Sequence, residues 1–138
     1  MQTCLPTWKN VKPLGRTQQR EDSLWLAFSG AGVEFSFTGS FCRVTITGDS
    51  TSCDPANTAN HARIAIYVDG VRVADEMIDA PEKSCTVVDG RMGEHIIRVV
   101  KLSETAMSTC GIRSITTDGG ICPTPEKPRM VEFIGDSI

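Results

Sequence analysis

Helical periodicity is nearly absent from this chain of 138 residues. Apolar side chains do not recur every three or four positions over any long window, so no amphipathic helix is expected. Basic charge is short as well. The formal net charge is −3, which argues against nucleic acid, because phosphate binding needs a basic surface. The stretches "RTQQRED" and "EKPRM" are interrupted by acids or prolines and read as solvated surface. No apolar run is long enough to cross a bilayer. The opening "MQTCLPTWKN" lacks the apolar region of a signal peptide. Aromatic residues make up only 6% of the chain. There is no CxxC pair and no Cys/His cluster, so zinc is not expected.

What remains is alternation. "GVEFSFTG" places Val33, Phe35 and Phe37 on one face and Glu34, Ser36 and Thr38 on the other. "CRVTITG" repeats the pattern with Val44 and Ile46. One face to a core and one to water is the antiparallel signature, and "TGSF" between the two runs is predicted to close a hairpin. "ARIAIYV" and "VRVADEMI" flank Asp69-Gly70, a turn pair suited to two successive residues at positive φ, so a second hairpin is expected there. "LWLAFSG", "KSCTVV", "EHIIRVVKLS" and "CGIRSITTDGG" supply further strands. In "EHIIRVVKLS", Ile97, Val99 and Lys101 share one face. "DSTSCDPANTANH" is predicted to be a polar loop. The sum is about eight or nine short strands with turn signals between them, an all-β antiparallel sandwich or jelly roll. A domain of this size needs no staples. The six cysteines, Cys4, Cys42, Cys53, Cys85, Cys110 and Cys122, are expected to be mostly reduced and buried, with one surface pair such as Cys4 and Cys122 left open.

The sandwich is expected to end at residue 118. "GGICPTPEKPRM" then reads as a stiff, proline-rich linker over 119–130. "VEFIGDSI" follows over 131–138, with Val131, Phe133 and Ile134 resembling a buried strand. A serine at the carboxyl end of such a strand sits where α/β folds place their active sites. Gly135 allows a sharp turn there, and Asp136 completes the block. Gly-Asp-Ser alone says little, since Gly48-Asp49-Ser50 repeats it at the end of a sandwich strand.

The context is more specific. "FIGDSI" after a proline-rich linker resembles the first block of the SGNH (GDSL-like) esterases. Together with "VKPLGRT", "LWLAFSGAGVEFSFTG", "ARIAIYVDG" and "HIIRVVKLSETAMSTCGI", the order resembles carbohydrate esterase family 2 from about Val11 to Ile138. The resemblance implies a galactose-binding-domain-like jelly roll joined to an α/β SGNH hydrolase domain. This chain would hold the jelly roll and only the first strand of the hydrolase. It also implies O-deacetylation of plant polysaccharides such as xylan or glucomannan, with no cofactor. Ser137 would be the nucleophile of the complete enzyme, and its own N–H one oxyanion donor.

A serine hydroxyl needs a base to take its proton. In the family that base is a histidine in a later block, and further oxyanion donors come from a glycine and an asparagine there. His61 and His95 are expected to be surface or strand-end histidines, so the chain alone is expected to be inactive. Its expected partners are an acetylated plant polysaccharide or oligosaccharide and its own hydrolase domain, with no nucleic acid and no membrane. A polysaccharide substrate implies an exported or cell-surface protein, whereas trimming of imported oligosaccharides implies a cytoplasmic one. The alternatives are a stand-alone carbohydrate-binding module and a structural sandwich. Trp8 and Trp25 are the candidate sugar platforms, with packing the expected role of both. The Asp49–Asp54 loop lacks the dense carboxylates of a calcium site.

Overall fold

The computed structural model describes residues 1–104 and 108–135. Among them are ten strands: β1 (Gln2–Cys4), β2 (Lys12–Leu14), β3 (Thr17–Arg20), β4 (Ser23–Leu26), β5 (Gly32–Gly48), β6 (Ala62–Val68), β7 (Val71–Ile78), β8 (Glu82–Lys101), β9 (Cys110–Thr117) and β10 (Ile121–Pro123). All pairings are antiparallel. The polar loop contains two short 3₁₀ turns, Ser50–Cys53 and Pro55–Asn60, capped by the Asp49 and Asp54 carboxylates.

Two long strands organise the fold. The first half of β5 pairs with the end of β8, from Gly32 opposite Val100 to Gly39 opposite Gly93. Its second half pairs with the start of β8, from Phe41 opposite Asp89 to Thr47 opposite Glu82. Around the first half lies one layer, with β2 and β10 on one side and β8, β6 and β7 on the other. Around the second half lies the other layer, with β9, β4 and β3 on one side and the start of β8 on the other.

The hairpin predicted at "TGSF" is therefore absent. The two runs it was to join are halves of one strand, and "KSCTVV" and "EHIIRVVKLS" are likewise halves of β8. The inward set changes from Val33, Phe35 and Phe37 to Cys42, Val44 and Ile46. A turn and a bulge both produce such a phase change. Here it is a bulge, which bends a strand without ending it. Distant contacts decide the matter. The Asp118 carboxylate accepts from the Ser40 and Phe41 N–H groups and the Ser40 hydroxyl at 2.6–3.0 Å. A Cβ on Gly39 would lie 2.2 Å from that carboxylate, so only glycine lets it approach.

The Asp69-Gly70 hairpin forms as predicted, with φ of 52° and 84° and Val68 opposite Val71. The core gathers the inward faces of both layers, including Leu26, Phe35, Ile46, Ile64, Ile66, Ile97, Ile112 and Ile115. Each such side chain contributes roughly 1.5–3 kcal/mol by leaving water. Lys101 does turn inward and is fully buried. Its ammonium donates to the Ser103 and Glu104 carbonyls at 2.7 and 3.2 Å. Burial lowers its pKa.

Ile121–Pro123, within the expected linker, adds to β5 as β10. Beyond it, Lys12 donates to the Pro125 carbonyl, and Thr124 donates to Glu34. All six cysteines are free. Cys42, Cys85 and Cys110 are buried, and burial pushes the thiols of Cys42 and Cys110 up to about 12.

Candidate functional site

The segment that carries Ser137 begins outside the sandwich. Val131, Phe133 and Ile134 belong to no strand and are 72%, 93% and 91% exposed. Among the described residues, no strand pairs with residues 131–134. Gly135 is exposed too. Asp136, Ser137 and Ile138 lie outside the described residues. Val131 and Phe133 line an open cavity with Phe28 and Ala31.

The two histidines are buried, contrary to expectation. His95 lies within β8, where Nδ1 faces the Asp69 carboxylate at 3.0 Å and Nε2 faces the Arg91 carbonyl at 2.9 Å. Both neighbours are acceptors, so only the imidazolium satisfies both. Burial opposes that charge, but these two bonds outweigh it and raise the His95 pKa. His61 packs at the end of the second 3₁₀ turn, with Nε2 at 3.0 Å from the Asp54 carbonyl. Both rings are thus held by structural contacts.

The carboxylates of the polar loop are engaged as well. Asp49 accepts from the Thr109 N–H at 2.8 Å and from the N–H and hydroxyl of Thr51. Burial alone would raise its pKa, and these bonds overcome burial and lower it. Among the described residues, no group of three or more His, Cys, Asp or Glu is placed to hold a metal.

A concave feature lies on the outer face of β3 and β4. It is a cavity of about 360 Å³ lined by Arg16, Gln18, Arg20, Trp25, Phe28 and Asp49, among others. Gln18 stands opposite Trp25 on β4, and Trp25 stands opposite Gly111 on β9. A Cβ at Gly111 would come within 3.2 Å of Trp25 Cδ2. The indole therefore rests on bare backbone, half-buried, with its remaining surface toward the cavity. Alternation along β3 brings Gln18 and Arg20 to one side, and Arg16, in the bend just before β3, lines the same cavity. Phe28 is exposed at the rim. Among the described residues, neither Arg16 nor Arg20 forms an ion pair.

Trp8 is not packed as expected. It is 76% exposed, with the Lys9 ammonium 5.8 Å from its ring centre. The stretch "RTQQRED" is surface as expected, with Arg16 and Arg20 both exposed beside the groove. Their place beside a groove was not foreseen, although Arg-x-Gln-x-Arg has the period of a strand.

These features define a two-layered antiparallel sandwich of the jelly-roll class with a groove on one outer face. The family model for the N-terminal domain of carbohydrate esterase 2 matches residues 13–125, and the chain belongs to that family. Solved structures agree in fold. An acetyl xylan esterase from the rumen bacterium Butyrivibrio proteoclasticus superposes with a TM-score of 0.77 at 20% identity, over 94% of this chain and 35% of that one. A family two carbohydrate esterase from Cellvibrio japonicus gives 0.76 at 18% identity, over 93% and 36%. A carbohydrate-binding module solved with calcium and xylotriose gives 0.57 at 16% identity, over 84% and 98%. The chain thus spans about a third of the length of the esterases it matches. No curated protein sequence matches it.

Proposed function

We propose that this chain is the non-catalytic β-sandwich domain of a polysaccharide O-deacetylase, and that it leads directly into the nucleophile block of the hydrolase. The observation that carries this reading is the family match over residues 13–125, followed after five more residues by "VEFIGDSI". In the complete enzyme the Ser137 hydroxyl attacks the acetyl carbonyl carbon. Its proton passes to a histidine of the hydrolase domain. The ester C–O bond breaks, the sugar hydroxyl leaves with that proton, and water releases acetate from the acylated serine. The Ser137 N–H holds the oxyanion. The exposed Val131 and Phe133 support the reading as an apolar surface for the hydrolase domain to cover.

The test compares two proteins on acetylated xylan. This chain alone is expected to release no acetate. A longer protein continuing past Ile138 is expected to release it, and Ser137→Ala in that protein lowers kcat by about 1,000-fold or more. Acetate release by the chain alone, or unaffected release by Ser137→Ala, refutes the proposal.

A second reading, that the sandwich itself binds carbohydrate, draws support from the Trp25 groove. Indoles present a flat apolar face with a polar edge, and pockets of a few hundred Å³ hold small ligands. Titration of the isolated chain with xylo-oligosaccharides, followed by Trp25 fluorescence, tests it. No saturable change on either neutral or acidic sugar rejects it.

A further inference from the structure

We infer that the groove on the outer face of β3 and β4 is a binding site for acidic saccharides, with Arg16 and Arg20 recognising the carboxylate of a uronic acid and Trp25 supporting a neighbouring sugar ring. The inference rests on the carbohydrate-binding reading of that groove and names the ligand class.

Three observations carry it. First, the cavity is lined by two guanidinium groups and one carboxylate, Asp49. That carboxylate is already occupied by Thr109 and Thr51. Those bonds leave its negative charge in place, but two guanidinium charges outnumber one carboxylate, so the side-chain charge of the groove is net positive, in a protein whose net charge is −3. Second, neither arginine has an ion-pair partner among the described residues. The other guanidinium groups on the flanking strands are engaged. Arg113 on β9 holds Asp22 at 2.9 Å and Glu82 at 3.4 Å. Third, the register fixes the spacing. Trp25 faces Gln18, Arg20 stands two residues further along β3, about 7 Å away, and Arg16 lines the same cavity from the bend just before β3. That is about the reach from a sugar ring stacked on the indole to an acidic group on the next ring. A guanidinium presents two parallel N–H donors, which match a carboxylate and match no neutral hydroxyl as well.

The preferred ligand is thus an oligosaccharide of two or more rings bearing a uronic acid. A neutral chain of the same length has the stacking contact and lacks the charge-assisted bonds.

The experiment titrates the chain by calorimetry with two probes: a xylo-oligosaccharide carrying one glucuronic acid and the same oligosaccharide without it. The acidic probe is expected to bind about ten-fold more tightly. That preference shrinks several-fold when salt rises from about 0.05 to 0.5 M, as the Debye length shortens. Arg16→Gln with Arg20→Gln is expected to remove the preference without changing the melting temperature, because both side chains are exposed and have no ion-pair partner among the described residues. Arg63→Gln with Arg72→Gln, a control on the opposite layer, is expected to leave it intact. Equal affinity for the two probes, lost on Trp25→Phe, overturns acidic selectivity and leaves the carbohydrate-binding reading standing. No binding of either probe overturns both. A preference that survives the double Arg16/Arg20 substitution places the site elsewhere and also overturns the inference.

Discussion

The two outer faces of the sandwich carry the same kinds of residue and use them in opposite ways. On the β6–β7–β8 face, Arg63 holds Asp75 at 2.7 Å and Arg72 approaches the same carboxylate at 3.7 Å. Arg98 lies over the Tyr67 ring at 5.1 Å. Arg63 and Arg72 share one carboxylate and Arg98 has a ring, so these three guanidinium groups are engaged. On the β3–β4–β9 face, Arg16 and Arg20 have no ion-pair partner among the described residues, and the aromatic beside them rests on a glycine. Exposed ion pairs add little stability, so the first face gains little and offers little to a ligand. The second leaves cations free beside an apolar plane. What separates a decorated surface from a candidate site is which side chains are already spoken for.

The largest expected effect comes from breaking the wall of the groove. Asp49→Asn removes the charge that Thr109 and Thr51 donate to, and is expected to cost about 2–3 kcal/mol in chemical denaturation. The Asp49 pKa is depressed from its ordinary 3.8. Its contribution is therefore present above that value and is lost as pH falls through the lower folded value. The wild-type acid transition is expected to begin there, with early loss of amide protection at Thr109.

The opposite layer is expected to respond with the other sign. The His95 pKa is raised above 6.5. The stability from its bonds to Asp69 and Arg91 is complete below 6.5 and is lost as pH rises through the raised folded value. His95→Gln is expected to cost about 1–2 kcal/mol and to flatten stability on the alkaline side, checked by denaturation at several pH values. Asp69 also has a lowered pKa, through its bonds to Ile96 and His95 against burial, so this corner gains a second, acid-side dependence.

A smaller effect is expected at the platform. Gly111→Ala sets a methyl 3.2 Å from Trp25 Cδ2 and 3.3 Å from Ser23 Cβ. A displacement of a few tenths of an ångström is expected to cost about 1 kcal/mol and to shift Trp25 fluorescence. The smallest effect belongs to the closed face. Asp75→Asn is expected to change stability by about 0.5 kcal/mol or less. A loss of several kcal/mol there would erase the contrast between the faces.

The inward faces of β5, β6 and β8 were legible because alternation is a local property. The Asp69-Gly70 turn was legible because two adjacent residues specify it. The continuity of β5 and β8 was not, because their bends depend on Gly39 meeting Asp118, a contact 79 positions away. β10 was hidden for a related reason: a proline-rich stretch looks like a linker until an edge is free to pair with it. At the candidate site, Arg16, Gln18 and Arg20 had a visible strand period. Their significance depended on β4 lying beside them and on Gly111 seating the indole, and neither is visible along the chain.

The through-running pair β5 and β8 also bears on how the chain folds. Their nearest partners, Thr47 and Glu82, are separated by the whole β6–β7 hairpin, and their farthest, Gly32 and Val100, by nearly twice that distance. Loop-closure entropy favours the short separation first. The hairpin with its tight turn would form early, on the microsecond scale. It would bring Glu82 toward Thr47, and the ladder would then zip toward Gly32 and cross the bulge midway. So non-local a pairing belongs with slow-folding β topologies, and the Asp118 contact holds the bend between the two halves of β5.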